Sequence, residues 1–169
     1  GGGWRDDMIR IRGPSVAQMR RIFFHGIGSL TKGASPMKEE VSKEKDAGKA
    51  AVRVLANHYF GERRAIRAEY LRRIRAARRC VYVTNSYFVP DRRIRLALTR
   101  AAARGVEVRI IVPGKNDVFA VHHASRNMYA WFHARGVHLH EEWGGEILHA
   151  KTAVVDGSWC TVGTYNLDY

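Results

Sequence analysis

The sequence is short of cysteine, of acidic residues and of long apolar stretches. Only two of its 169 residues are cysteines, Cys80 and Cys160, and they form no CxxC pair, so we expect reduced, buried thiols in place of a disulfide framework or a zinc site. No apolar run approaches the roughly 18 residues that a membrane span requires. The 46% hydrophobic content is that of a globular protein with one core.

Acidic residues are outnumbered by basic ones. The chain has 29 lysines and arginines against 16 aspartates and glutamates, a net charge of +13. This balance favours a polyanionic partner, either nucleic acid or an anionic lipid surface, and charge does not choose between the two. Much of the excess lies in residues 63–79, where a solvated helix face fits the pattern equally well.

The apolar pattern switches repeatedly between strand-like and helix-like segments. Strands are predicted over residues 8–12, 80–84, 106–112 and 137–141, and helices over residues 14–24, 65–78, 91–104 and 120–135. Residues 26–50 are rich in Gly, Ser and mixed charge, which predicts a linker or mobile loop. Because the strands read as apolar on both faces, we predict an α/β fold whose β-sheet is flanked by helices on both faces.

Four polar residues lie in the last predicted hairpin, two on each side of an Asp-Gly turn. They are His149, Lys151, Thr164 and Asn166. The first two are two positions apart on one strand and therefore share a face. A two-residue turn would place the other two beside them. Polar side chains on a core strand need a reason to be buried, so this face is a candidate binding site.

Phosphoryl transfer is the chemistry that fits this set. An imidazole can attack phosphorus and hold a covalent phosphohistidine, while ammonium, hydroxyl and carboxamide donors neutralise the non-bridging oxygens. The reaction requires no metal and no cofactor. Asp156 has the opposite strand parity, and we interpret it as structural, closing the turn or orienting a neighbour.

The spacing HxKx4Dx6GTxN, which runs from His149 to Asn166, resembles the HxKx4Dx6GSxN motif of the phospholipase D superfamily, with Thr164 in place of serine. Further stretches resemble the bacterial cardiolipin synthase branch of that superfamily. They are WRD (4–6), RIRGPSV (10–16), YVTNSYFVPD (82–91), RGVEVRIIVPGK (104–115) and LHAKTAVVDG (148–157). The resemblance implies two similar α/β halves whose motifs meet at an interface, one histidine acting as nucleophile and the other as general acid.

Only the second of those two motifs is present in this chain. By the resemblance, residues 1–25 are a remnant of the first phospholipase D-like half, residues 26–50 a linker or mobile loop, and residues 51–169 the second phospholipase D-like domain, truncated at its C-terminus. The chain looks cut just downstream of the missing first His-Lys pair. We therefore expect half of an active site.

The resemblance also implies a role for each residue of the motif. His149 is the nucleophile or the general acid, Lys151 and Asn166 are phosphate ligands, Thr164 is an auxiliary donor, and Asp156 is a catalytic support. Asp6 is a candidate carboxylate for orienting the missing histidine of the first motif. The matching acid for His149 is then expected beyond Tyr169.

The implied function is phosphatidyl transfer through a phosphohistidine to a hydroxyl of phosphatidylglycerol. The resemblance places the enzyme at the membrane, on the cytoplasmic side or at the cell membrane. Its implied partners are the phospholipid substrate, the membrane surface, and either the first half of the same protein or a second protomer that completes the site. Two alternatives stay open: a single-motif homodimeric phosphodiesterase or nuclease, and an inactive module that binds anionic lipid or nucleic acid.

Several other residues are weaker candidates. Asn85, Tyr87 and Phe88 end a predicted strand, where they fit a pocket mouth or plain packing. Trp143 and Trp159 near the hairpin fit an acyl-chain contact or core packing.

Loop residues and histidines are the remaining candidates. Lys115 and Asp117 fit a phosphate contact or a solvated turn. The other histidine spacings match no closed zinc set, so no metal is expected at His122, His123, His133, His138 or His140.

Overall fold

The computed structural model describes residues 3–30, 48–57, 64–115 and 128–167. The chain divides into two units, one of Gly1–Met8 with Arg67–Tyr169 and one of Ile9–Ile66. The smaller unit holds helix α1 (Ser15–Leu30), which begins directly after Pro14, as the sequence predicts. Within this unit the Ser15 hydroxyl donates to the carbonyl of Val52 (3.4 Å).

The strand predicted over residues 8–12 does not form. Met8 is 97% exposed and Ile9 is 55% exposed. An alternating pattern becomes a strand only where a neighbouring strand takes its hydrogen bonds, and no strand of the described residues pairs here. The short strand β1 lies just before this segment, at Trp4–Arg5.

The larger unit is built around a mixed β-sheet. Its strands are β2 (Cys80–Asn85), β3 (Glu107–Pro113), β4 (Val137–Glu142), β6 (Lys151–Val155) and β7 (Trp159–Val162), in the order β4-β3-β2-β6-β7. β2, β3 and β4 are parallel to one another, whereas β6 is antiparallel to β2 and β7 is antiparallel to β6. A separate two-stranded sheet pairs β1 with β5 (Ile147–Leu148).

Helix α2 (Ala65–Ala76) precedes β2 in the chain and helix α3 (Arg92–Ala103) follows it. Residues 128–133 are also helical. The carboxylate of Asp91 caps α3 by accepting from the backbone N–H groups of Arg93 and Ile94. None of the helices in the described ranges combines the length and apolarity that a membrane crossing needs.

The sheet buries one face and leaves the other open within the described residues. Val81, Ile110 and Leu98 are among the fully buried side chains of the core. On the opposite face Tyr82, Ile111 and Val154 are between 37% and 39% exposed. The α/β class is confirmed, and the described helices supply one of the two predicted helical layers.

The direction of the chain explains this asymmetry. The steps β2 to β3 and β3 to β4 run the same way across the sheet, and crossovers between parallel strands are almost always right-handed. The described helices of the two crossovers, α3 and residues 128–133, therefore lie on one face. The open face instead carries alternating polar residues such as Glu107, Arg109 and His138, all exposed, which the prediction of strands apolar on both faces overlooked. Both cysteines are free, but neither is buried as predicted, since Cys80 is half-buried and Cys160 is exposed.

The hairpin between β6 and β7 has a three-residue turn, Asp156 to Ser158, where the sequence predicts two. The register pairs Val155 with Trp159 and Thr152 with Val162. Positive φ angles at Asp156 (55°) and Gly157 (68°) turn the chain. The extra residue changes the parity, so that Gly163 donates its N–H to Lys151 (3.2 Å) and Thr164 does not stand opposite Lys151.

Candidate active site

The backbone of His149 is fixed by a segment from the other end of the sequence. β1 runs parallel to β5, with Trp4 beside Ile147 and Arg5 beside Leu148. The N–H of Ile147 donates to the carbonyl of Gly3 (2.9 Å), and the N–H of His149 donates to the carbonyl of Arg5 (2.7 Å). This pairing places the side chains of Trp4 and Asp6 next to His149.

The Asp6 carboxylate orients the His149 imidazole. Oδ2 of Asp6 lies 3.0 Å from Nδ1 of His149. The hydrogen bond from His149 lowers the pKa of Asp6 below its usual value, so this group is a carboxylate at neutral pH. A carboxylate at Nδ1 favours the tautomer with the proton on that nitrogen. Nε2 is then unprotonated and available to react.

The resemblance assigns Asp6 to a missing histidine and places the acid for His149 beyond Tyr169, and both assignments stay predictions. In the structure, Asp6 contacts His149 itself. The contact depends on the parallel pairing of β1 with β5, which are two residues long each. Strands this short have no periodic pattern in the sequence that would predict them.

Trp4 covers His149 and is a site residue that sequence reasoning missed. The two ring centroids are 4.3 Å apart with an interplanar angle of 41°. Together with Ser86, Tyr87 and Pro113, Trp4 and His149 line a shallow depression. The available signal was the position of Trp4 two residues before Asp6.

Lys151 places a buried cation beside the histidine. The residue is only 5% exposed and pairs with Asn85 across β6 and β2. Its Nζ donates to the carbonyl of His149 and lies 6.0 Å from the centroid of the Tyr87 ring. A buried ammonium in this position supplies positive charge to an anion bound at His149.

Asn166 reaches the same end of β2 by a route that the sequence did not predict. β7 ends at Val162, the chain bends at residues 163–164, and Leu167 then pairs in parallel with Phe88. The Ser86 hydroxyl donates to Oδ1 of Asn166 (3.2 Å). Ser86 thus links Asn166 to the depression that His149 lines, whereas Thr164 is exposed.

Asp156 stands apart from the other motif residues, at the opposite end of β6. Its carboxylate accepts the backbone N–H groups of Arg79 (2.7 Å), Arg78 (3.0 Å) and Cys80 (3.1 Å). These backbone hydrogen bonds, led by that from Arg79, lower the pKa of Asp156. The geometry agrees with the structural interpretation of Asp156 and gives it no contact with His149 in the described residues.

The weaker candidates separate into packing residues and surface residues. Phe88 is buried against Phe132, with ring centroids 5.6 Å apart, whereas Tyr87 lines the depression. Trp159 packs against Tyr70 (6.1 Å between centroids), and Trp143 is 58% exposed.

No metal centre appears in the part of the chain that is described, where no group of three or more His, Cys, Asp or Glu side chains is arranged to hold an ion. Lys115 is exposed. Asp117, His122 and His123 lie outside the described residues, and the helix predicted from residue 120 is described only from residue 128.

The chain has an α/β fold with a mixed β-sheet. A histidine oriented by a carboxylate and a buried lysine lie at the end of its strands, as in a phospholipase D-like domain. Residues 70–169 match the family model described as "Cardiolipin synthase, PLD-like domain". The chain belongs to this family.

Two curated relatives illustrate the similarity. The chain is 33% identical over 169 residues to a cardiolipin synthase from Geobacillus thermodenitrificans, covering 99% of this chain and 34% of that protein. It is 36% identical over 172 residues to cardiolipin synthase A from Edwardsiella ictaluri, covering 99% of this chain and 35% of that protein. The chain thus spans about a third of the length of these relatives.

The structure of NucT from Helicobacter pylori superimposes with a TM-score of 0.50 at 20% sequence identity. The match covers 63% of this chain and 70% of that one. At this level of identity the match shows the shared fold.

Proposed function

We propose that this chain supplies one half-site of a phosphatidyltransferase of the cardiolipin synthase type, which transfers a phosphatidyl group through a phosphohistidine to a hydroxyl of phosphatidylglycerol. The observation that carries the proposal is the contact between Asp6 and Nδ1 of His149 beside the buried ammonium of Lys151. An imidazole oriented in this way has Nε2 free to attack phosphorus or to move a proton.

The reaction proceeds in two displacements. Nε2 of His149 attacks the phosphorus of the phosphatidyl donor, the bond from phosphorus to the headgroup oxygen breaks, and a second histidine protonates the departing alcohol. The second histidine then takes the proton of the acceptor hydroxyl, whose oxygen attacks phosphorus and releases His149. If the second histidine is the nucleophile instead, His149 protonates the departing alcohol and deprotonates the acceptor hydroxyl, and Asp6 orients His149 in the same way.

The other motif residues bind the phosphoryl oxygens in this scheme. Lys151 neutralises their charge, the Asn166 carboxamide donates from Nδ2, and Thr164 is an auxiliary donor. Asp156 anchors the turn that begins the hairpin's return strand. The remaining histidine comes from a first half of the same protein or from a second protomer, and the phospholipid is delivered from a membrane surface.

Trapping the covalent intermediate tests the proposal. The full-length protein that contains this chain is incubated with phosphatidylglycerol vesicles, quenched and digested, and the phosphatidylated peptide is sought by mass spectrometry. We expect the adduct on His149, or on the second histidine if His149 is the acid, and His149→Ala should abolish cardiolipin formation. His140→Ala, at an exposed histidine of the open sheet face, is the matched control. Normal turnover by His149→Ala rules the proposal out.

A homodimeric phosphodiesterase acting on nucleic acid is the second candidate, favoured by a group of exposed arginines where α2 leads into β2. The side chain of Arg104 donates to the carbonyls of Arg75 (3.1 Å) and Ala77 (3.3 Å), and Arg78 and Arg79 are exposed close by. Such a cluster suits phosphate backbones. Salt-dependent DNA cleavage by a dimer of this chain would support this candidate, and a monomer without cleavage would exclude it.

A further inference from the structure

Asn85, the last residue of β2, bonds to the backbone on either side of Asn166, and Ser86, the next residue, bonds to the Asn166 side chain. Asn85 is fully buried; its Nδ2 donates to the carbonyl of Tyr165 (3.4 Å), and its Oδ1 accepts the N–H of Leu167 (3.1 Å). These two bonds bracket Asn166 along the chain. Ser86, which is 3% exposed, then donates its hydroxyl to Oδ1 of Asn166 (3.2 Å).

The Ser86 contact decides which end of the carboxamide is available to a ligand. The oxygen and nitrogen ends of an asparagine side chain have nearly the same shape and opposite hydrogen-bonding character. With Oδ1 occupied by the Ser86 hydroxyl, Nδ2 is the end left for a ligand, and it makes no hydrogen bond within the described residues. A phosphoryl oxygen needs a donor, so the reverse orientation would present it with a repelling oxygen.

We propose that Ser86 is a positioning residue that fixes the Asn166 carboxamide with its Nδ2 donor toward the phosphoryl group, while Asn85 fixes the backbone on either side. The inference rests on the proposed function in one respect, namely that Asn166 binds a phosphoryl oxygen. The Asn166 orientation can be measured without any ligand, so the two ideas fail separately.

The experiment uses the full 169-residue chain, labelled with ¹⁵N, and reads the side-chain NH₂ group of Asn166 by nuclear magnetic resonance. The first measurement is the order parameter of Nδ2 without ligand. We expect a rigid carboxamide in the wild type and in Ser86→Thr, which keeps the hydroxyl, and a mobile one in Ser86→Ala. Ser86→Cys, similar in size with a weaker donor, should lie between them. Thr84→Val, which removes a hydroxyl from β2 two residues before Ser86, should not change the order parameter.

The second measurement is the affinity for inorganic phosphate, read from the Asn166 NH₂ resonances and from the backbone signals of the site. Ser86→Ala should weaken phosphate binding about tenfold, the equivalent of one hydrogen bond of about 1.4 kcal/mol. If Ser86 acts through Asn166, Ser86→Ala should have no further effect in an Asn166→Ala background.

Each outcome decides one question. An Asn166 order parameter unchanged by Ser86→Ala overturns the inference, as does an equal loss of phosphate affinity with and without Asn166. Should Ser86→Ala fail to fold, the graded comparison of Ser86→Thr with Ser86→Cys makes the same distinction. The Asn166 carboxamide could also be rigid in the wild type and mobile in Ser86→Ala, while its NH₂ resonances do not respond to phosphate. That result would support the positioning contact and overturn the phosphate role of Asn166.

Discussion

Oδ2 of Asp6 lies 3.0 Å from Nδ1 of His149, although the two residues are 143 positions apart in the sequence. The contact needs only β1 and β5, two residues each, to bring the chain segments together. It makes Asp6 part of the site that surrounds His149 in this chain. Asp6 is therefore the residue on which the catalytic proposal can be tested most directly.

Asp6→Asn should lower phosphatidyl transfer by roughly 10²–10⁴-fold with little change in folding, because an amide no longer selects the Nδ1-protonated tautomer. The measurement is the rate of cardiolipin formation from phosphatidylglycerol vesicles by the full-length protein. Asp7→Asn is the matched control, since it removes an exposed carboxylate from the next position of the chain. Equal rates for Asp6→Asn and the wild type would contradict a role for Asp6 in orienting the histidine.

Asp91 links α3 to α2, and its contribution to stability should depend on pH. The hydrogen bond from the side chain of Arg67 (2.5 Å) lowers the pKa of Asp91 from 3.8 to about 2. A lowered pKa stabilises the folded state fully above pH 3.8, and this stabilisation is lost as the pH falls toward 2. Its size at neutral pH is about 2 kcal/mol.

Asp91→Ala should accordingly lower the free energy of unfolding at pH 7 and have a much smaller effect at pH 2. Urea denaturation at both values measures the difference. Asp7→Ala, at an exposed aspartate, should show no such dependence. A destabilisation by Asp91→Ala that is the same at both pH values would mean that the ion pair with Arg67 does not cause it.

We expect Asp156 to contribute to the stability of the fold and not to the chemical reaction. Asp156→Gly removes the carboxylate that accepts the N–H groups of Arg78, Arg79 and Cys80, but it tolerates the φ of 55°. Asp156→Ala adds the strain of that φ. We expect the unfolding midpoint to fall for Asp156→Gly and further for Asp156→Ala, and least for Asp156→Asn, which keeps one acceptor.

Activity per folded molecule distinguishes this interpretation of Asp156 from a catalytic one. The turnover of Asp156→Gly, corrected for the folded fraction by circular dichroism at the assay temperature, should approach that of the wild type. A variant that is as stable as the wild type but inactive would assign Asp156 a direct part in the reaction.

The sequence predicts most of the elements and points to His149, Lys151 and Asn166, but it predicts neither Trp4 nor the contacts that assemble the site. Each predicted strand from residue 80 to residue 141 forms within two residues of its predicted bounds, because apolar alternation is strong there. The prediction of a two-residue turn was wrong, because Ser158 joins Asp156 and Gly157 in the turn and Val155 pairs with Trp159. Asn166 still reaches the site, held by Asn85 and Ser86 instead of by cross-strand pairing. Tertiary hydrogen bonds of this kind have no local periodicity to reveal them.

Lys151 should show a conflict between binding and stability. The residue is 5% exposed, and its site offers the ammonium a carbonyl and an aromatic ring. Burial of an ammonium has a desolvation cost, which an apolar side chain of similar length does not have. Lys151→Met should therefore leave the free energy of unfolding unchanged or raised, while phosphate affinity falls at least tenfold because the cation that attracts the anion is gone. Isothermal titration with inorganic phosphate and urea denaturation measure the two quantities, with Lys115→Met, at an exposed lysine, as the control. A Lys151→Met chain that binds phosphate as well as the Lys115→Met control would remove Lys151 from the phosphate site.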